Sequence, residues 1–269
     1  MTGALICPVC GEPLSAGERA FVCTGRRGKV HSFDRGADGT VNLAGGGYRP
    51  ASGDPPDMVA ARSAFLRAGW YAPLAERLAE AAEGLGAVAD AGCGEGFYSV
   101  TAAKRCGFLY GFDLSKKAVS RAAKLARAEG LSNTLFSVAS VFSLPLADRS
   151  VDAVFSVFAP VAREEFFRVL RPGGSLFVAA AGAEHLCELK AVLYDTVRKN
   201  EPRADLPAEP VSRETLTFSR TLPRDALLAL YRMTPYCRRS SPESEARLLA
   251  LPELSVTFSF DLYRCEAKK

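Results

Sequence analysis

Four side chains near the N-terminus are of the types that bind zinc: Cys7, Cys10, Cys23 and His31. Two residues separate the first two cysteines, the spacing of a zinc knuckle, and the other pair can complete a tetrahedral set. Because four protein ligands leave no position for water, we expect the zinc to be structural. The alternative is a reactive dithiol, but redox C-x-x-C pairs lie near a βαβ pattern that residues 1–47 lack.

The stretch between Cys23 and His31 is longer than the three to five residues usual in such sites. It contains Arg26, Arg27 and Lys29, which could give the small module a basic face for contact with phosphates. The alternative is an ordinary solvated surface.

A second chemical signal is the glycine-rich run Asp90-Ala91-Gly92-Cys93-Gly94-Glu95-Gly96, placed where a strand gives way to a helix. Glycines allow the backbone to turn tightly and approach a ligand, and the helix N-terminus offers free N–H donors. Asp113 ends the next strand, where a carboxylate can bind the ribose hydroxyls of an adenosine ligand. The alternatives are glycines that serve only the turn and an aspartate that serves only as a helix cap.

The surrounding elements suit this placement. Residues 55–84 show helical periodicity with interruptions near Gly69 and Pro73, and a repeated strand-helix pattern starts near residue 86. We expect strands at 87–90, 108–113, 135–139, 151–157 and 175–181, and helices at 97–105, after the N-cap Ser115, and at 163–170 before the turn Arg171-Pro172-Gly173-Gly174. This alternation predicts a doubly wound α/β fold with a mostly parallel sheet.

Three segments follow from this pattern: a zinc-binding module at 1–47, a linker with connector helices at 48–84, and a larger α/β domain at 85–269. The net charge of +4 neither requires nor excludes a polyanionic partner. The eight cysteines form no regular disulfide framework, and no run of 18 apolar residues occurs. We therefore expect a cytoplasmic protein without a membrane partner.

The D-x-G-x-G-x-G run resembles the S-adenosylmethionine motif of class I methyltransferases. Over its whole length the chain is similar to bacterial 23S rRNA (guanine-N1)-methyltransferases. The matching motifs are the C-P-x-C opening, His31-Ser32-Phe33-Asp34, Ala64-Phe65-Leu66-x-Ala68-Gly69-x-Tyr71-x-Pro73-Leu74, Gly92-Cys93-Gly94-Glu95-Gly96-x-Tyr98, His185-Leu186-x-Glu188-Leu189-Lys190 and Met233-Thr234-Pro235.

The resemblance implies a Rossmann-like methyltransferase domain, zinc held by Cys7, Cys10, Cys23 and His31, and a module that helps to dock RNA. It implies cofactor contacts from Tyr71, the 92–96 loop, Asp113 and His185, and Asp90 is a further candidate for such a contact. It also suggests a homodimer. From the residues alone, Tyr71 could instead be a buried helix aromatic, and His185 a cap or surface group.

The expected reaction is attack of a guanine N1 on the sulfonium methyl, with the protein mainly orienting the reactants. Phe158, after the strand at 151–157, is a candidate for stacking on the target base; the alternative is simple packing at the strand end. The sequence does not identify a general base. Two other functions stay open at this stage: a methyltransferase of a small molecule or another RNA, and a non-catalytic zinc-dependent RNA-binding protein.

Overall fold

The computed structural model describes residues 3–25, 28–45, 55–203, 205–206 and 208–268. The N-terminal part contains a small antiparallel sheet of β1 (Leu14–Ala16), β2 (Ala20–Cys23) and β3 (Ser32–Asp34), followed by the short strand β4 (Val41–Asn42). The linker that was expected around residues 48–54 lies outside the described residues.

Two connector helices follow, α1 (Pro56–Arg67) and α2 (Ala72–Ala82). Proline stands in the first turn of each helix, where its missing N–H costs no hydrogen bond. Gly69 adopts a φ of 78° between the helices, which explains why the chain breaks there. The expected interruption is therefore confirmed.

The rest of the chain consists of further strands and helices; those up to residue 181 follow the predicted pattern, and those beyond it were not predicted. In chain order these are β5 (Ala87–Ala91), α3 (Phe97–Ala103), β6 (Phe108–Asp113), α4 (Lys116–Ala128), β7 (Thr134–Val138), β8 (Val151–Val157), α5 (Arg163–Val169), β9 (Leu170–Ala181), α6 (Cys187–Leu193), β10 (Ser212–Pro223), α7 (Arg224–Arg232), a 3-10 turn at Pro235–Arg238, α8 (Pro242–Ala250) and β11 (Glu253–Glu266).

One sheet organises these elements, with the order β10-β11-β9-β8-β5-β6-β7-β4. Neighbouring strands from β9 to β4 pair in parallel, whereas β11 is antiparallel to both β9 and β10. Successive strands run outward from β5 in two directions, so the chain reverses its winding there. Ligands of such sheets bind beyond the carboxyl ends of the strands at this reversal. The predicted doubly wound α/β class is confirmed.

The expected turn at 171–174 is a local correction. This stretch lies within β9, which begins at Leu170 directly after α5. The pairing with β8 shifts register between Val151 and Ala153, and Gly173 has a φ of 80°, so the extra residues are taken up as a bulge. The helix expected at 97–105 also ends two residues early, at Ala103.

The N-terminal segment that carries Cys7, Cys10, Cys23 and His31, here named the zinc-ligand segment (residues 3–25 and 28–45), is attached to this sheet. β4 pairs in parallel with β7, and Leu43 N donates to the Val138 carbonyl at 2.8 Å. Leu5 and Phe21 lie in the same apolar cluster as Phe112 of β6. The N-terminal segment therefore shares a core with the larger sheet and supplies its edge strand. Among the helices of the described ranges, none is both long and apolar enough to cross a membrane.

Candidate cofactor crevice and zinc site

The glycine-rich run turns from β5 into α3 at the carboxyl edge of the sheet. The amides of Gly92 and Cys93 both donate to the Phe112 carbonyl of β6, at 2.8 and 2.9 Å. Gly92, Gly94 and Gly96 all have positive φ, of 89°, 52° and 81°. L-residues with side chains rarely adopt this region, so the backbone itself selects glycine at these positions.

The three glycines differ in what surrounds them. A Cβ on Gly92 would lie 2.6 Å from the Ala159 Cβ, and one on Gly96 would lie 2.7 Å from the Ala122 Cβ. A Cβ on Gly94 would meet no atom of the described chain within 4 Å. Gly92 and Gly96 therefore serve packing, which is the structural alternative raised above, whereas Gly94 faces open space where a ligand can approach.

Asp113, at the end of the neighbouring strand β6, hydrogen bonds to the glycine loop. Its Oδ2 accepts from the Gly94 amide at 3.1 Å, and its Oδ1 accepts from the Ser115 amide at 2.7 Å. Ser115 caps α4 through its hydroxyl, which accepts from the Ala118 amide at 3.2 Å, as predicted. Asp113 thus combines a turn-stabilising role with a position beside the open face of Gly94. Glu95 of the loop forms an ion pair with Arg121 of α4.

Asp90 is buried beneath the loop, at 1% exposure. Its Oδ2 accepts a 2.5 Å hydrogen bond from the Ser99 hydroxyl, while its Oδ1 has no partner among the described residues. Burial raises the pKa of Asp90 to about 7; the Ser99 hydrogen bond opposes this shift and the Asp113 charge adds to it. Burial also raises the pKa of Cys93 well above its usual value, so this thiol stays neutral.

Tyr71 and His185 meet although 114 residues separate them in the chain. The Tyr71 hydroxyl oxygen and His185 Nε2 are 3.4 Å apart, and both residues are buried. Phe258 and Phe260 of β11 pack against both rings. Burial lowers the pKa of His185 to about 3, with help from the Lys190 charge, so its ring is neutral at physiological pH.

The neutral ring fixes the direction of this hydrogen bond. His185 Nδ1 accepts from the Ser259 amide at 3.3 Å, so the ring proton belongs on Nε2 and is donated to the Tyr71 oxygen. The Tyr71 O–H then keeps a proton to donate elsewhere. Burial raises the pKa of Tyr71, which keeps that proton in place. No sequence signal marked Ser99 or Ser259, which hydrogen bond to Asp90 and His185.

Phe158 stands just beyond β8 with a φ of 53°, a conformation unusual for a bulky side chain. The residue is 46% exposed, and its ring lies 5.8 Å from that of Phe260, centre to centre. Phe260 also contacts His185. A strained, exposed aromatic therefore adjoins the Tyr71 and His185 cluster at the edge where the glycine loop lies.

The four zinc-type side chains converge, despite the long stretch between Cys23 and His31. Their ligand atoms all lie within 4.8 Å of one another. Cys7 Sγ and Cys23 Sγ are 3.6 and 3.5 Å from His31 Nδ1, and Cys10 Sγ is 3.7 Å from Cys23 Sγ. Tetrahedral zinc with ordinary bond lengths requires about 3.6 Å between sulfur and nitrogen and about 3.8 Å between sulfurs. The donor set therefore fits zinc through Nδ1 of His31.

The candidate RNA-contacting side chains of the module are only partly described. Lys29 is exposed near the zinc ligands. Arg26 and Arg27 lie outside the described residues, so their role stays a prediction.

Comparison with known proteins agrees with this architecture. Residues 88–174 match the family described as a methyltransferase domain. A solved structure of a putative methyltransferase from Bacillus halodurans aligns with a TM-score of 0.51, covering 72% of this chain and 99% of that one. The two sequences are 15% identical, so the likeness concerns the fold. The fold is that of class I methyltransferases.

Relatives across nearly the whole length identify the family. A Streptomyces fradiae protein named 23S rRNA (guanine(748)-N(1))-methyltransferase is 37% identical over 95% of each chain. A putative 23S rRNA (guanine-N(1)-)-methyltransferase of Micromonospora griseorubida is 36% identical, over 97% of this chain and 96% of the relative. A Bacillus subtilis protein with the same putative activity is 27% identical over 95% and 94%. This chain belongs to the 23S rRNA (guanine-N1)-methyltransferase family.

Proposed function

We propose that the protein transfers the methyl group of S-adenosylmethionine to N1 of a guanine in 23S rRNA. The observation that carries this proposal is the near-full-length similarity, at 36–37% identity, to proteins named for that activity. The position of the guanine is not carried over from the Streptomyces relative. No observation favours a small-molecule substrate or a non-catalytic role over this reaction.

The crevice at the glycine loop has the features that this cofactor requires. Gly94 leaves open space, and Asp90 Oδ1, which has no partner in the part of the chain that the structure describes, supplies a negative charge for a cationic ligand when Asp90 is ionised. S-adenosylmethionine carries an ammonium and a sulfonium. In this proposal Asp90 and the backbone of Gly92, Cys93, Gly94, Glu95 and Gly96 hold the methionine part, and Asp113 holds the ribose.

Tyr71 and His185 complete the cofactor site. The neutral His185 orients the Tyr71 hydroxyl, whose proton is then available for an acceptor on the ligand, such as its carboxylate. Because the Tyr71 hydroxyl is neutral, its hydrogen bond to the ligand adds no positive charge that would repel the ligand's cationic groups.

Phe158 is the proposed contact to the base. N1 lies on the pairing edge of guanine, so the base must be unpaired or drawn out of a helix before it can react. An exposed aromatic at the carboxyl end of β8 can stack on such a base and align N1 with the methyl group. When bound, the cofactor supplies an electrophilic methyl on sulfur. The protein contributes alignment of the base, and as N1 takes the methyl group from sulfur the N1 proton passes to a carboxylate or water near the transfer site.

The zinc ion is proposed as a structural cofactor held by Cys7, Cys10, Cys23 and His31. We retain the division into a module at 1–47, connector helices at 48–84 and a methyltransferase domain at 85–269 as a proposal, with Lys29, Arg26 and Arg27 as candidate RNA contacts. A homodimer is likewise proposed from the family resemblance alone. Light scattering of the purified protein would test the dimer, and a monomer mass would refute it.

The direct test is methyl transfer from labelled S-adenosylmethionine to protein-free 23S rRNA and its fragments, with a pool of small metabolites as the parallel substrate. We expect label in RNA and 1-methylguanosine on mass-spectrometric mapping. An Asp113→Ala variant should lose both cofactor binding and transfer. Label that enters only metabolites, or RNA binding without transfer, would refute the proposal.

A further inference from the structure

Helix α4 has an unusual charge pattern. Its thirteen residues contain five cations and no acid: Lys116, Lys117, Arg121, Lys124 and Arg127. The buried face consists of small apolar residues such as Ala122 and Ala126, while all five cationic residues are exposed. Arg121 pairs with Glu95 of the glycine loop. Within the described ranges, Lys117, Lys124 and Arg127 have no carboxylate within 4.0 Å.

This pattern works against the stability of the isolated helix. Lys116 and Lys117 stand at the N-terminus, where the helix dipole disfavours positive charge. Lys117 with Arg121, and Lys124 with Arg127, are like charges one helical turn apart, a spacing that is also destabilising. An anionic partner along this face would relieve the repulsion. Apart from Arg127, which lies in the last turn where the helix dipole favours a cation, these charges are not explained by local folding.

The zinc-ligand segment continues the positive surface. Arg127 lines a groove of about 580 Å³ together with Arg19 and Arg35 of that segment. The guanidinium groups of Arg35 and Arg127 each approach within 3.8 Å of the point where a Cβ on Gly39 would lie. Glu18 and Asp34 also line the groove. As far as the structure describes the chain, neither carboxylate lies within ion-pair distance of the three arginines.

The two parts of this surface are held together by contacts. β4 joins the segment to β7, the strand that follows α4. Burial raises the pKa of Asp38, but hydrogen bonds from Ser120 of α4 and from Thr40 outweigh it and lower the pKa, so this contact favours the carboxylate form. Lys117 and Arg127 are ten residues apart, which corresponds to about 15 Å along the helix axis. The cations thus follow a path from the cofactor edge to the zinc-ligand segment.

We propose that Lys117, Lys124, Arg127, Arg35 and Arg19 form a basic track for the phosphate backbone of the RNA next to the target guanine. The proposal rests on the proposed function for the identity of the polyanion. Helix α4 and the groove bind the RNA phosphate backbone whatever the RNA sequence, and the cofactor crevice recognises the base. The track positions the substrate and does not take part in methyl transfer.

The test is the salt dependence of RNA binding by Lys117→Gln/Lys124→Gln, measured with the full-length protein and a 23S rRNA fragment that the wild type methylates. Loss of two phosphate contacts should reduce the slope of log affinity against log salt by about 1.4 to 1.8, and weaken binding about tenfold at 0.15 M salt. KM for RNA should rise, with kcat and cofactor affinity near wild type. The free variant should unfold at a slightly higher temperature, because repulsion is reduced.

Two controls separate this surface from general charge effects. Arg220→Gln/Lys268→Gln also removes two positive charges. Arg220 is exposed on β10, the edge strand at the other end of the sheet from β4, and Lys268 is exposed near the C-terminus, so this variant should keep the wild-type slope. Lys117→Arg/Lys124→Arg should keep it as well. A wild-type slope and KM in Lys117→Gln/Lys124→Gln, with wild-type RNA methylation intact, would refute the basic track alone. Failure of the wild type to methylate any RNA would refute the proposed function.

Discussion

Ser99 donates a 2.5 Å hydrogen bond to one carboxylate oxygen of Asp90, and the other oxygen has no partner in the described part of the chain. Both residues are fully buried beneath the glycine loop. A buried carboxylate with half of its hydrogen-bonding capacity unused costs stability unless a ligand completes it. We therefore expect the ionisation of Asp90 to govern how a cationic ligand binds beside it.

The first prediction concerns the pH dependence of cofactor binding. The raised pKa of Asp90, about 7, leaves much of it protonated at pH 6 and most of it ionised at pH 8. Because the ionised form attracts a cationic ligand, affinity for S-adenosylmethionine should increase through this range, by up to about tenfold per pH unit below the pKa. Calorimetry in buffers of different ionisation enthalpy should detect proton release on binding. Asp90→Asn should bind more weakly and without this pH dependence; an unchanged profile would contradict the assignment.

The second prediction distinguishes two glycines of the same loop. Gly96→Ala should destabilise the fold by about 2 kcal/mol or more, because the new methyl group would lie 2.7 Å from the Ala122 Cβ at a strained φ. Gly94→Ala should destabilise the fold by only about 1 kcal/mol, from the positive φ alone, because the new methyl group meets no atom of the described residues. It should nevertheless reduce cofactor affinity, because the methyl group enters the space where the ligand would bind. Thermal unfolding and calorimetry check the pair. Equal effects of both variants on stability and binding would show that the loop has no ligand-facing position.

The third prediction concerns the hydroxyl of Tyr71. Tyr71→Phe keeps the ring among Phe65, Phe258 and Phe260, so the melting temperature should change little. Loss of one hydrogen bond to the ligand should weaken cofactor binding about tenfold. Tyr71→Ala is the contrasting variant and should unfold more easily, since removing the ring leaves a cavity among these aromatic side chains. If Tyr71→Phe binds the cofactor like the wild type, its hydroxyl serves only His185.

The fourth prediction concerns metal removal. The purified protein should contain one zinc per chain by elemental analysis. Cys10→Ser or a strong chelator should remove the zinc and lower the melting temperature, because the zinc-ligand segment shares a core with the main sheet. Cys237→Ser, at a half-buried cysteine distant in sequence from the four ligands, should retain full zinc content. A metal-free protein with unchanged stability would favour the dithiol alternative.

The fifth prediction concerns Phe158. Phe158→Ala should reduce kcat/KM for RNA by about ten- to a hundredfold, the usual value of one stacked base, without weakening cofactor binding. Phe158→Tyr, which preserves the ring, should retain most activity. Equal loss of cofactor affinity would instead place Phe158 in the wall of the cofactor crevice, as a packing residue beside Phe260.

The sequence anticipates the elements whose signals are local. The strands 108–113 and 151–157 have the predicted bounds, because each is a short apolar run between turn residues. The four zinc-type side chains were recognisable from residue type and from the C-x-x-C spacing of Cys7 and Cys10, although the stretch between Cys23 and His31 is longer than usual. The stretch 171–174 was misassigned because a Pro-Gly-Gly turn and a strand bulge look alike before the partner strand is known.

What could not be foreseen depends on distant pairing. The burial of Asp90, its bond to Ser99 and the meeting of Tyr71 with His185 arise only when separate helices and strands pack together. The antiparallel pair of β10 and β11 was not predicted, although the sequences of both strands carry a local signal. In β10 the apolar residues Leu216, Phe218 and Leu222 occupy alternate positions and are its least exposed residues, which is the pattern of a half-buried strand.

The pairing of β4 with β7 has a consequence for biogenesis. About 95 residues separate the two strands, so a ribosome making 5–20 residues per second delivers the partner about 5 to 20 s after residues 41–42 emerge. During that interval a metal ion can already fold the first segment around its own ligands. The N-terminal segment would then already be folded when β7 is synthesised, and the pairing of β4 would cover the edge of β7 that β6 leaves open.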